Sequence, residues 1–412
     1  MPLSLDLVQA LALAGVVLFV GYGVRRLVPP LARYNLPAPV IGGLLVATVL
    51  TLTRGQGVTL LKLDTALQTP LMIAFFTSVG FGASLGLLRI GGPAVALFLI
   101  ASSVAAVAQN VVGMAVAASL GQHPLMGVLA GSVTLTGGPA TGLAFAPLFE
   151  QAGVPGASTL AVAAAMVGIV CGGLIGGPIG TRLIESRGLR PVASEGPVAA
   201  RKTVAVNVVE RQMGEPAWTA PEGEDVESYA LLKGIVAILV AMWAGGWLSG
   251  GFEALGMTLP AYIGAMLAAA ALRNLDDVTG WLKLSQRVID DLGSVALSLF
   301  LVLALMTLKL WELAGLALPL AVILVFQVGL IALLCLGPIP RLMGRDYDAA
   351  VMSSGFAGFM LGTTANAMAN MGALVERYGP APRAYLVVPM VGAFFIDFTN
   401  ALLITACLNL WR

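Results

Sequence analysis

Ten apolar stretches, almost free of charge and bounded by Arg, Lys, Asp or paired Gly and Pro, lie near 5–24, 37–53, 70–88, 93–120, 157–181, 231–252, 258–272, 292–308, 314–337 and 384–410. A helix crossing the hydrocarbon core of a bilayer uses about 20 apolar residues. Lipid offers no partner to backbone groups that the helix leaves unsatisfied. The pattern therefore predicts an all-α polytopic membrane protein with ten spans. Of the 412 residues, 58% are hydrophobic and 10% charged, against about 45–50% and about 25% in soluble domains, which excludes a water-soluble globule. A net charge of +1 and the lack of a basic stripe exclude nucleic acid as a partner. Cys171, Cys335 and Cys407 stand singly in apolar runs, a spacing that suits neither a disulfide framework nor a metal site. The first run is expected to remain as a span rather than be cleaved as a leader. Asp6 precedes its apolar part, Arg25 and Arg26 follow it, and no small-residue cleavage site lies between.

Two further apolar segments, 124–150 and 347–375, are interrupted at the middle by Thr136-Gly137-Gly138-Pro139-Ala140-Thr141-Gly142 and Gly362-Thr363-Thr364-Ala365-Asn366. Each is too short to cross twice. Lys and Arg of short loops collect on the cytoplasmic side. If both segments dip in and return, eighteen of the 22 Lys and Arg residues lie inside, leaving Arg54, Lys62, Lys309 and Arg412 outside. Letting the first segment cross would export the seven cations from Arg182 to Lys233. Both are thus expected to be re-entrant hairpins, with both termini facing the outside.

The motifs recur in the same order. Leu36-Pro37-Ala38-Pro39-Val40-Ile41-Gly42 returns one residue shorter as Leu259-Pro260-Ala261-Tyr262-Ile263-Gly264, and Gln109 in Val107-Ala108-Gln109 returns as Gln327 in Val325-Phe326-Gln327. Glu150 with Gly153-Val154-Pro155 returns as Glu376 with Gly379-Pro380. One half, 1–185 or 229–412, is five spans plus one hairpin. An odd number of crossings inverts the second copy, so the hairpins enter from opposite faces. Residues 186–228, with Pro191, Pro197, Pro216, Pro221 and the acids Glu222, Glu224, Asp225 and Glu227, read as a solvated cytoplasmic linker.

Non-helical backbone at membrane depth is tolerated where protein or a water-filled cavity covers it. Two broken segments therefore imply a polar cavity between inverted halves, the arrangement of secondary transporters. Half-helix N-termini at such breaks suit a carboxylate, and exposed carbonyls suit a sodium ion. Gly137-Gly138-Pro139 cannot continue a helix. The candidate substrate contacts are Thr136, Gly137, Gly138, Thr141 and Gly142 in the first tip, Thr363, Thr364, Asn366 and Asn370 in the second, and Asp397.

Asp397 is the only acid in the interior of an apolar span, where an unpaired carboxylate costs several kcal/mol. A substrate ammonium, a sodium ion or a proton would relieve it, and Asn400 lies one helical turn further on. The candidate sodium set is Thr134, Gln109, Asn110, Asp397 and Asn400; Gln109, Asn110 and Gln327 fit equally as amides that join helices. Gly172-x-x-x-Gly176 and Gly173-x-x-x-Gly177 read as close-packing stripes. His123 reads as a boundary residue, and Trp243, Trp247, Trp311 and Trp411 as an interfacial belt. An intramembrane aspartyl protease needs two facing carboxylates, and a zinc mechanism would show H-E-x-x-H. Neither is present, so no enzyme is expected.

Several strings resemble the bacterial sodium/glutamate symporter family along nearly the whole chain outside 186–228. They are Pro70-Leu71-Met72-Ile73-Ala74-Phe75-Phe76, Pro124-Leu125-Met126-Gly127 with Gly131-Ser132-Val133-Thr134-Leu135-Thr136-Gly137-Gly138, Leu308-Lys309-Leu310-Trp311-Glu312-Leu313, Tyr347-Asp348-Ala349-Ala350 and Val387-Val388-Pro389-Met390-Val391-Gly392-Ala393-Phe394-Phe395-Ile396-Asp397. The resemblance implies sodium-driven import of glutamate by an inner-membrane homodimer, with sodium as coupling ion and no other cofactor. It also implies a hairpin-bearing core that moves, elevator-like, against a dimeric scaffold. The family's first tip usually reads Gly-Gly-His-Gly-Thr-Gly, whereas Pro139 and Ala140 stand here at the third and fourth positions. Its second tip often reads Ala-Thr-Pro-Thr, against Thr363-Thr364-Ala365-Asn366 here. These departures keep a second carrier class open, a sodium- or proton-coupled symporter of citrate-type hydroxycarboxylates.

Overall fold

The computed structural model describes residues 3–55, 61–191, 225–254, 260–313 and 315–410. Of the linker expected over 186–228, residues 192–224 lie outside the described residues, as do Leu259, Trp411 and Arg412. The main helices of the first half are α1 (Leu7–Leu27), α2 (Ala38–Gly55), α3 (Gln68–Gly82), α4 (Leu85–Ser119), α5 (Pro124–Val128), α6 (Gly138–Gln151) and α7 (Ala157–Arg187). Those of the second half are α8 (Val226–Ala254), α9 (Ala261–Thr279), α10 (Gln286–Met306), α11 (Ala317–Leu336), α12 (Tyr347–Leu361), α13 (Thr364–Tyr378), α14 (Pro382–Met390) and α15 (Ile396–Leu410). Two three-residue strands, β1 (Leu3–Leu5) and β2 (Leu61–Leu63), pair in parallel with Leu3 opposite Leu61.

Seven segments among the described residues are long and apolar enough to cross a membrane. They are Leu7–Leu27, Gly92–Ser119, Ala157–Arg187, Val226–Ala254, Gln286–Met306, Ala317–Leu342 and Pro382–Leu410. The chain is a multi-pass membrane protein. The other three stretches expected as spans form shorter or more polar helices. α2 has 18 residues and α3 has 15, and α9 carries Arg273, Asp276 and Asp277 near its end. α3 stops at Gly82 because the Ser84 hydroxyl starts the next helix by accepting the Leu87 N–H. Gly92, at φ +65°, and Pro93 then kink α4.

The last glycine of each of two similar strings packs in the same way. Gly42 sits where a Cβ would overlap the Val17 carbonyl of α1, and Gly264 where a Cβ would overlap the Gly245 carbonyl of α8. In both pairs a glycine lets two helices cross backbone to backbone. One of the two stripes on α7 behaves likewise: Gly172 and Gly176 lie against the carbonyls of Gly358 and Ser354 on α12. The other does not, because a Cβ on Gly177 would meet open space.

The first interrupted segment is α5, a turn wound wider than an α-helix over Leu129–Val133, a short link, and then α6. The wide turn opens at Gly131, whose φ of −103° and ψ of −126° are not helical. In the second segment α12 breaks at Gly362 and α13 folds back along it, with Gly355 against Met371 and Gly358 against Ala367. All fifteen residues of α12 except Asp348 are buried. Its Phe356 and Phe359 rings pack on Phe98 of α4 at 5.6 and 5.8 Å between centroids. The two breaks are thereby held among buried helices, while α1 and α8 turn apolar faces outward, including Phe19, Trp243 and Trp247.

Candidate functional site

The two breaks meet. Gly138, whose φ of +70° glycine adopts without strain, begins α6 close to the Gly362 carbonyl of the second break. Gln109 of α4 ties the pair together: its Oε1 accepts from the Thr136 hydroxyl at 2.8 Å, and its Nε2 donates to the Met360 carbonyl at 3.0 Å. Gln327 of α11, which stands in a string similar to that around Gln109, donates its Nε2 to the Gln109 carbonyl at 2.7 Å. A buried amide with its polar atoms committed in this way sets a unique arrangement of the helices it joins.

Between the breaks lies a cavity of about 410 Å³, within the range of small-molecule sites. Thr136, Gly137 and Gly138 line it from the first break, Gly362, Thr363 and Thr364 from the second, and Asp397 from α15. The starts of α6 and α13 both face it, presenting the positive ends of two helices. Thr363 caps α13 by accepting the Asn366 N–H at 3.3 Å, and the Thr364 hydroxyl donates to the Gly392 carbonyl at 2.8 Å. The lining also includes residues that carry no site signal in the sequence: Tyr22 and Arg25 of α1, Pro37 at the start of α2, and Ser294 and Ser298 of α10. Neither the Asp397 carboxylate nor the Arg25 guanidinium makes a hydrogen bond or ion pair among the described residues. One carboxyl and one guanidinium group thus line the same space with no partner among the described residues.

The remaining expected residues point into the protein. Asn366 and Asn370 donate to the Ile169 and Gly172 carbonyls of α7 at 2.7 and 2.9 Å. Thr141 packs on Gly137, and Gly142 packs on Ala161 and Thr134. Thr134 donates to the Leu129 carbonyl at 2.8 Å, and the Asn110 Oδ1 accepts the Ser132 N–H at 3.1 Å. Asn400 and Asp397 part company: Asp397 faces the cavity, while the Asn400 Nδ2 donates to the Ser132 carbonyl at 2.9 Å. His123 caps α5, its Nδ1 accepting the Leu125 N–H at 3.3 Å.

A family profile described as sodium/glutamate symporter matches residues 3–380 of the chain. A protein of Escherichia coli (strain K12) named sodium/glutamate symporter is 40% identical over 408 residues, covering 98% of each chain. One of the same name from Haemophilus influenzae is 39% identical over 399 residues, covering 96% of this chain and 95% of its own.

Proposed function

The chain belongs to the sodium/glutamate symporter family, and from that premise we propose that it imports glutamate together with sodium across the bacterial inner membrane by alternating access. The observation that carries the reading is the cavity with Asp397 and Arg25 unpaired on its wall. Glutamate has one ammonium and two carboxylates. Asp397 takes the ammonium, the starts of α6 and α13 with Thr136, Thr363 and Thr364 take the α-carboxylate, and Arg25 takes the side-chain carboxylate. In a site shielded from water each of these pairings is stronger than at a surface. A hydroxycarboxylate offers no cation to Asp397 and leaves that carboxylate beside an anion, which favours the amino acid over the citrate-type alternative.

The cavity has two different walls. One is lined by the broken segments and α15, the other by α1, α2, α3 and α10. This division supports an elevator-like cycle in which the first wall carries the substrate past the second. The two interrupted segments act as hairpins entering from opposite membrane faces, and the distribution of Lys and Arg supports termini on the periplasmic side. The apolar outward faces of α1 and α8 leave surface for a partner copy, in keeping with a homodimer.

Purified chain reconstituted into liposomes is expected to accumulate labelled glutamate under an inward sodium gradient. Equal accumulation under a proton gradient without sodium would reject the coupling, and displacement of glutamate by citrate or malate would reject the substrate. Gly138→Ala places a Cβ at φ +70°, costing about 1 kcal/mol of backbone strain at the tip. It is expected to weaken apparent glutamate affinity about fivefold with the melting temperature nearly unchanged, as measured by uptake kinetics and thermal unfolding.

A further inference from the structure

The wide turn at Leu129–Val133 carries polar atoms that the substrate cavity does not use. Ser132 of the turn, Gln327 of α11 and Asn400 of α15 are each fully buried. Each keeps one side-chain oxygen without a partner: Ser132 Oγ, Gln327 Oε1 and Asn400 Oδ1. Leaving such an acceptor buried and unmatched costs about 1–3 kcal/mol, so three around one turn call for an explanation. All three residues belong to one neighbourhood. The Asn400 Nδ2 donates to the Ser132 carbonyl at 2.9 Å. The Gln327 Nε2 lies 3.2 Å from where a Cβ of Gly131 would stand.

Each of the two amides commits a donor here. The Asn400 and Gln327 amides give their N–H groups to the carbonyls of Ser132 and Gln109, which fixes which end of each amide is left over. The Ser132 N–H goes to Asn110. What remains is a set of neutral oxygens beside a turn opened at Gly131. Hard oxygen donors suit an alkali or alkaline-earth cation rather than a soft metal, and with no carboxylate among the three a monovalent ion is favoured. We propose that Ser132, Gln327 and Asn400 form a sodium site at the opened turn, distinct from the substrate cavity and from Asp397. The proposal rests on the sodium-coupled reading above.

The placement also links ion to substrate. Gln327 bonds Gln109, and Gln109 bonds both Thr136 and Met360 at the two breaks. An ion that draws Gln327 and Ser132 together therefore sets the positions of both tips before glutamate arrives.

The test uses the full chain in detergent without glutamate, melted in sodium, potassium or choline chloride at equal ionic strength, with radiolabelled sodium counted per chain. The native protein is expected to show saturable stabilisation specific to sodium. Ser132→Ala, which leaves both backbone bonds of that residue in place, is expected to lose about tenfold or more in sodium affinity and one bound sodium per chain. Ser132→Thr, which keeps the hydroxyl, should recover most of the loss. Ser132→Cys, of nearly the same size but with a poor sodium ligand, substitutes if the alanine protein cannot be recovered. Native sodium affinity and ion count in the alanine or cysteine variant would overturn the site and leave water as its occupant. Sodium-driven uptake with an unaltered Ser132→Ala response would reject this site alone, whereas uptake that ignores sodium in the native chain would reject the coupled reading itself.

Discussion

Asp397→Ala is expected to abolish gradient-driven accumulation of glutamate and to leave the protein folded. The carboxylate lines the cavity and makes no bond to another side chain among the described residues, so its removal leaves no other buried charge alone. It instead relieves the cost of holding a charge at membrane depth, and the melting temperature is expected to stay level or rise. On the proposed pairing the loss falls on the substrate, whose ammonium would then be desolvated without a counter-charge, a penalty of about 2–5 kcal/mol, or roughly 30-fold to several thousandfold in affinity. Uptake and equilibrium binding by the purified variant measure the two halves of this expectation. Asp397→Asn keeps the shape and drops the charge, and is expected to fail nearly as completely. Full activity in either variant would remove Asp397 from the site.

Gly127→Val is expected to have the largest effect on stability. Gly127 of α5 faces Gly113 of α4 so closely that a Cβ on either would overlap the other's backbone. No side chain can swing aside to make room. Overpacking of this kind costs about 3 kcal/mol, read as a lowered melting temperature in detergent. The displaced α5 would carry with it the turn holding Ser132 and the tip holding Thr136, so transport should fall more steeply than the melting temperature suggests. Gly177→Val serves as control. A Cβ there meets nothing within 4 Å, and the change is expected to stay within about 0.5 kcal/mol.

Hydropathy and Gly-Pro punctuation suffice to locate the long helices and both interruptions, because lipid allows an unpaired backbone nowhere else. They also single out Asp397, since one acid in a long apolar helix requires a reason. The second wall of the cavity leaves no such mark. Arg25 follows an apolar run, as flanking cations do in most membrane helices, and only the placement of the end of α1 beside the cavity makes it a lining residue. Ser294 and Ser298 are hidden similarly, on α10, far along the chain from either tip. Asn366 and Asn370 show the opposite limit. Polarity says that a buried amide needs a partner, but whether that partner is a solute or a carbonyl of α7 depends on the direction in which α13 presents it. The wide turns at Leu129–Val133 and Val391–Phe395 have no composition of their own, because a single surplus residue per turn does not alter the hydrophobic pattern.

The cavity reaches one end of the molecule. Its lining includes Arg25 and Pro37, where α1 ends and α2 begins. The opposite ends of those helices are fastened by the pairing of β1 with β2 and by the Arg54 guanidinium 4.5 Å above the Trp311 ring. A blocker too bulky to be swallowed therefore engages this arrangement from a single compartment. On the proposed orientation, with Lys and Arg gathered inside, that compartment would be the cell interior, and screens run on intact cells are expected to miss such compounds unless they also permeate.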